Sequence, residues 1–250
     1  MGIKMSTLKQ PFPAQPFFSM LSSKWNEVWP NICSELKEYF GSLDFLSELF
    51  YFQESRYYDK ELGTPVFRRI FTSERLLDPA ELVNIKHFSD KLENMYLSPS
   101  GERKFNLDPG MLFWERLVLA TGKNAPHRIY LHSGVWADLT LIYKKGGWEI
   151  LPWTYPDYAA AYLQDMLSKI RENYRKKIKE LQDSHNNFRD KVKGLKVSED
   201  KKKVFNDLKD IKNLISEILD SYDELEDQAS VIGLKIPKNM RKDIYNMKHQ

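Results

Sequence analysis

Cysteine is almost missing from this chain: 250 residues carry a single thiol, Cys33. One cysteine rules out an internal disulfide framework and fits a reducing compartment. Its surroundings, WPNICSELKEYF, contain no histidine to serve as a base, so nothing marks it as a nucleophile. Histidine is scarce as well. His127 and His132 lie near each other, but their spacing on a strand places the two rings on opposite faces, so no metal centre is expected. Apolar runs of about 18 residues, the length that crosses a bilayer, do not occur. The opening MGIKMSTLKQPFPAQPFF is broken by three prolines, unlike the apolar core of a secretory signal, and a cytoplasmic protein is expected. The motifs GxSxG, HExxH, GxGxxG and paired cysteines are absent, which removes the direct routes to a hydrolase, a zinc protease or a dinucleotide-binding enzyme. Charge of one sign is also lacking. A formal net charge of +3 argues against strong nucleic-acid binding.

What remains is enough to build a core. Hydrophobic residues make up 42% of the chain and charged residues 29%, a globular composition. The distribution is uneven. Of the 33 aromatic residues, 27 fall in the first 158, and no proline lies between Pro156 and Pro237. Residues 1–158 hold 18 Lys and Arg against 19 Asp and Glu, whereas 159–250 hold 20 against 16. A globular domain over 1–158 and a helical extension over 159–250 are therefore expected.

The spacing of apolar and turn residues predicts a strand at 17–22 and a helix at 24–40 stopped by Gly41, with Pro30 early in it or marking a restart. Strands at 47–52 and 65–73 flank the insertion QESRYYDKELGT. A helix opens at Asp78-Pro79 and runs to about Tyr96, and a strand covers 103–108. This β-α-β-β-α-β order is that of a ferredoxin-like sandwich, an α+β fold with two helices on one face of an antiparallel sheet. Extra antiparallel strands follow at 115–121, 127–132, 135–143 and 148–151, the last two joined by a hairpin at Lys145-Gly146-Gly147. Beyond them, helices over about 158–193 and 198–229 carry apolar seams: Leu167 to Val192 in the first, and a 4-3 repeat from Val204 to Leu225 in the second. A C-terminal α-helical hairpin or coiled coil is expected, with homo-oligomer formation through it.

Polar residues crowd the ends of the runs between Arg103 and Tyr158, where a site is most readily built. Alternation places Lys104, Asn106 and Asp108 on one face of their strand and Phe105 and Leu107 on the other. The strand reads as ending in an Asp108-Pro109-Gly110 turn, so Asp108 either bonds that turn or forms a polar pair with Asn106. Lys86, Asp90 and Glu93 share one helix face, either solvated or turned to a cleft. Gly122-Lys123 imitates the end of a phosphate loop, but Leu117 and Asn124 stand where glycine and Ser or Thr are needed. Lys123 is left as a single anion contact. His127 is the best general acid or base by residue type, because imidazole changes charge near neutral pH, although a structural histidine is the commoner case. Arg128, Glu149 and Asp157 complete the group.

The segments YYDKELG, RKFNLDPGMLF, LVLATGKNAPHRIYL, GVWADLTL and TYPDY resemble the signature blocks of a bacterial and archaeal family, domain of unknown function 4416, over about residues 15–178. The resemblance implies a cytoplasmic protein; the GTP-binding label of some members finds no supporting motif here. Its characteristic polar positions fall on Tyr57, Tyr58, Glu61, Lys86, Glu93, Arg103, Asn106, Asp108, Lys123, His127, Arg128, Tyr155, Asp157 and Tyr158. Met111 stands for an aromatic residue of the pattern, Trp136 and Asp138 for a Tyr and a Glu, and Ser89-Asp90 for Thr-Asn. Members usually end near residue 180, so the resemblance does not reach the tail.

These readings converge on a small anionic ligand, nucleotide-like or carboxylated, bound at the end of the sheet. His127, Asp108 and Glu93 are the candidates for proton transfer; Tyr58, Glu61, Lys86, Arg103, Asn106, Lys123, Arg128, Tyr155 and Asp157 are those for ligand contact. The alternative is a nonenzymatic interaction or scaffold protein in which the same residues brace the sheet, or a weak RNA-binding module. No cofactor is specified by the residues, and neither a membrane nor a nucleic acid is an expected partner.

Overall fold

The computed structural model describes residues 8–194, with side chains placed as far as 187. In chain order its elements are β1 (Gln15–Ser22), α1 (Trp25–Phe40), β2 (Leu43–Leu46), β3 (Phe50–Tyr51), α2 (Asp59–Leu62) and β4 (Phe67–Ser73). A 3-10 turn at Pro79–Glu81 then leads into α3 (Leu82–Met95), followed by β5 (Asn106–Leu112), β6 (Arg116–Thr121), β7 (Arg128–Tyr130), β8 (Trp136–Lys144), β9 (Gly147–Ile150), α4 (Pro156–Ala159) and α5 (Ala161–Gly194). The described strands join one antiparallel sheet in the order β2-β4-β1-β5-β6-β8-β7, with β3 also on β4 and β9 also on β8. This is an α+β architecture.

The sheet has two covered faces. Phe18, Met20, Phe71, Leu107 and Met111 point to one, where they meet Val28, Ile32, Leu36 and Phe40 of α1 and Ile85 and Leu92 of α3. Phe17, Ile70, Leu112, Leu117, Leu119 and Leu141 point to the other, where α5 lays Leu163, Leu167, Ile170, Tyr174 and Ile178 against them. Covering on both sides explains why β1, an unbroken run rich in apolar residues, is buried at every position.

Local chemistry accounts for the element ends. Gly41 takes φ 80, a left-handed turn that stops α1 at little steric cost. Pro30 does not restart that helix; it lies on the exposed side, and the carbonyl it deprives of a partner belongs to exposed Asn26. Asp78 caps the turn before α3, accepting a hydrogen bond from the Ala80 N–H at 2.8 Å. Lys145 and Gly146 both have positive φ, 53° and 84°, as a two-residue type I′ hairpin between β8 and β9 requires.

Two expectations are corrected. The run at 47–52 is not one strand: β2 lies earlier, at Leu43–Leu46, and only Phe50–Tyr51 of the run pairs with β4. Asp108-Pro109-Gly110 is not a turn but the middle of β5, because β1 offers a partner along the whole length from Asn106 to Leu112. Pairing with β6 begins only at Gly110, so Pro109 sits at the end of that ladder, where a missing N–H is tolerated. Gly110 serves close approach: a Cβ there would lie 2.6 Å from the Val118 carbonyl oxygen. From Leu163 to Ile178, α5 packs against the sheet. Leu181, on the same seam as Ile178, is 51% exposed. The second tail helix at 198–229 and its Val204–Leu225 seam lie outside the described residues. No described helix is long and apolar enough to cross a membrane.

Candidate functional site

The site begins where β5 and β6 part. Asn106 to Pro109 have β1 on one side and no strand on the other, leaving backbone groups to be satisfied. Glu93 of α3 reaches over that edge and accepts the Leu107 N–H at 2.6 Å. Its second oxygen accepts from Arg103 Nη1 at 2.9 Å. Arg103 in turn holds Glu61 of α2 through two parallel bonds of 2.5 and 2.7 Å, the planar fork that guanidinium and carboxylate share. Arg103 Nη1 also donates to Asn106 Oδ1 at 2.8 Å, and Asn106 Nδ2 donates to Asp108 Oδ2 at 2.7 Å. Glu61, Arg103, Glu93, Asn106 and Asp108 therefore form one connected network.

The carboxylates in it are not equivalent. Arg103 holds Glu61 below the usual carboxylate range, chiefly by hydrogen bonding. Burial pushes Glu93 up, against the Leu107 N–H and Arg103. Desolvation also pushes Asp108 up, opposed by Lys86, Asn106 and Arg68. Lys86 is engaged with Asp90 at 2.5 Å; the Lys86 and Glu93 side chains are 13% and 8% exposed but Asp90 is 44% exposed, so that helix face is turned inward at Lys86 and Glu93 and open to water at Asp90.

Arg68 is the residue that sequence reading missed. It is 1% exposed near the start of β4, donates from Nε to Ser19 Oγ at 2.8 Å and from Nη1 to Asp157 Oδ2 at 2.7 Å, and lies 4.7 Å from the Tyr158 ring centroid. The available signal was FRRIFTS: neighbouring residues of a strand face opposite ways, so two adjacent arginines in a covered sheet cannot both reach water by the same side. Arg69 takes the other face, over Trp25 and Trp29. Tyr158 is 3% exposed and its hydroxyl completes no hydrogen bond among the described residues, although Ser19 lies near enough to lower its pKa. Burial raises the pKa of Tyr58 and of Tyr158, and the Asp108 and Asp157 carboxylates raise both further.

A second group lies on β7, β8 and the loops beside them. Arg128 donates to Asp138 Oδ2 at 2.8 Å, to the Lys123 carbonyl at 2.8 Å and to the Tyr155 hydroxyl at 2.7 Å. His127 stacks on Trp153 with centroids 5.0 Å apart, and its Nε2, 3.5 Å from Asp138 Oδ2, makes no hydrogen bond. Lys123 is exposed, with its ammonium 5.4 Å from the Tyr57 ring centroid. Tyr58 feels charges of both groups, Asp108 and Arg103 on one side and Tyr155 on the other. Glu149 is elsewhere, paired with Lys144 on the β8–β9 hairpin. Asp138, Trp153, Ser19 and Arg68 were not among the expected site residues.

Because ionisation of Asp108 is disfavoured in the folded state, that charge costs stability above its folded pKa and the cost disappears as pH falls through it. Asp108→Asn, which keeps the acceptor for Asn106, is expected to raise the melting midpoint near pH 7. The gap should close toward pH 4, and calorimetry across that range checks it. A variant no more stable than wild type at neutral pH would mean that the carboxylate is not disfavoured.

The fold and site define an α+β domain with a set of partly buried ion pairs on an antiparallel sheet. A family profile described as domain of unknown function (DUF4416) matches residues 12–174, and the chain belongs to that family. Neither a curated protein nor a solved structure matches it.

Proposed function

We propose that the domain binds a small anionic ligand, nucleotide-like or carboxylated, at the open end of the sheet, with Asp108 donating a proton or hydrogen bond to it. The observation that carries this reading is unused hydrogen-bonding capacity in one polar centre. The Tyr158 hydroxyl is buried with no completed hydrogen bond among the described residues, although Ser19 acts on it weakly, and it feels the charge of an Asp108 carboxyl that burial pushes toward its protonated form. Glu93 is committed to Leu107 and Arg103, and His127 is held against Trp153, so Asp108 is the better proton donor of the three. Lys123, exposed at the rim, supplies attraction for the anion.

An anion accepting from protonated Asp108 binds best below the folded pKa of that group, and affinity falls as pH rises through it. Thermal-shift measurement with nucleotides and carboxylated metabolites tests this. A ligand at about 100 times its Kd adds about 2.7 kcal/mol, or several degrees. Asp108→Asn, whose amide also donates, should bind with the pH dependence removed, whereas Asp108→Ala should not bind. If no such ligand moves the wild-type midpoint, the reading is wrong.

One observation favours the scaffold reading: Arg68, Arg103 and Arg128 each already hold a carboxylate. On that account Arg128→Ala lowers stability and alters no binding. The first four strands of the ferredoxin-like reading are supported by the order β2-β4-β1-β5 with α1 and α3 on one face. A cytoplasmic setting fits the single thiol, and self-association through the tail rests on the Val204–Leu225 spacing.

A further inference from the structure

The side of α5 that meets the β5–β6 hairpin carries chemistry that the site above does not use. The hairpin loop, Trp114-Glu115, lies at the opposite end of β5 from Asp108, roughly 20 Å away for strands rising about 3.3 Å per residue. Arg171 and Arg175 stand against it, one helical turn apart and so on the same face of α5. Arg171 is 8% exposed, donates from Nε to the Trp114 carbonyl at 2.6 Å, and has its guanidinium carbon 3.6 Å from the Tyr143 ring centroid. No described carboxylate is at ion-pair distance from it, because Glu115 is taken by Arg116 and Glu172 by Arg175 at 3.3 Å. Arg175 lies 4.7 Å from the Trp114 centroid, and its Nε is buried without an acceptor among the described residues.

Such a group of cations is short of negative charge. Burial pushes the Arg171 guanidinium below its ordinary range and Arg175 adds to this, while Tyr143, Glu172 and Glu115 oppose it without cancelling it. Arg171 meets a carbonyl and a ring but no carboxylate at ion-pair distance among the described residues, and two cations on neighbouring helical turns repel. The aromatic rings take the flat faces of the guanidinium groups and leave N–H edges for an acceptor. We propose that Arg171 and Arg175 hold a phosphate group. A doubly charged tetrahedral anion meets two guanidinium edges at once, which a single carboxylate does less well. This site is independent of the ligand cleft proposed above.

The full-length chain is titrated with inorganic phosphate and, separately, with glycerol phosphate, at ionic strength held constant with sodium chloride. The thermal midpoint and the ³¹P line width are followed. The expected result is a saturable rise in midpoint, with Arg175→Gln binding about tenfold more weakly and Lys60→Gln, on α2, binding as wild type does. Arg175 is partly solvent-exposed, so its variant should keep the wild-type midpoint without phosphate. Arg171→Lys, which keeps the charge and loses the fork, should also bind more weakly. Tighter binding of glycerol phosphate assigns the site to an organic phosphate, and equal or weaker binding assigns it to the free ion. Absence of a saturable rise in the wild type, or equal affinity in Arg175→Gln, overturns the proposal.

Discussion

Arg68→Ala is expected to destabilise the domain by about 3–5 kcal/mol, the effect of removing one member of a buried ion pair and leaving the other behind. Asp157, whose side chain is 15% exposed, would lose its cation, Ser19 would lose a donor, and the Tyr158 ring would lose the guanidinium above it. The loss should appear as a lower urea midpoint with the slope unchanged. Pairing Arg68→Met with Asp157→Asn removes both charges from the buried site, and the double variant should recover part of the loss. A drop of less than about 1 kcal/mol in Arg68→Ala would show that this ion pair contributes little, as exposed pairs do. The result also separates structure from function, because an Arg68 variant of reduced stability that still binds ligand would place this pair among the braces of the sheet.

The second large effect concerns α5. Leu167 is fully buried between the helix and the sheet, and Leu167→Ala is expected to cost about 2–5 kcal/mol through lost contacts and the cavity left behind. Leu181 continues the same 3-4 seam but is 51% exposed, and Leu181→Ala should change stability by less than about 0.5 kcal/mol. A chain ending at Tyr158 would leave Phe17, Ile70, Leu112, Leu117, Leu119 and Leu141 without their cover, and it should fail to unfold cooperatively; one ending at Asp183 should. The Tyr174 hydroxyl, which donates to the Pro13 carbonyl at 2.9 Å, and Lys177, which binds the Glu74 carbonyl at 2.9 Å, fasten the same helix to the chain's beginning and to the end of β4. Equal stability of the two shortened chains would show that α5 is dispensable and that the boundary belongs at 158.

Much of the architecture was legible because its causes are local. The helix at α1 follows from apolar residues at four-residue steps and a glycine able to take positive φ at its end. The α3 start follows from an Asp-Pro pair that supplies a cap and removes a surplus donor. The β8–β9 hairpin follows from two residues able to adopt positive φ. Alternation correctly separated Asn106 and Asp108 from Phe105 and Leu107, since Phe105 and Leu107 enter the α1–α3 core. The same local reasoning failed at Asp108-Pro109-Gly110. Its turn chemistry was overruled by a neighbouring strand that no property of those three residues announces.

By itself, then, the sequence determined the periods, the caps, the tight turn between β8 and β9 and the faces on which side chains stand, all of which depend on residues within a few positions of each other. Only the tertiary structure decided which charges meet. Arg68 finds Ser19 at a separation of 49 residues and Asp157 at 89, and Arg103 finds Glu61 at 42. Such pairs form because the sheet order brings β4 beside β1 and because α4 lies over them, and an ion pair's energy falls off with distance in space, not along the chain. The same is true of the exposure of Leu181 and the burial of Ile178: one helical seam runs through both, and the sheet covers only the first part of it.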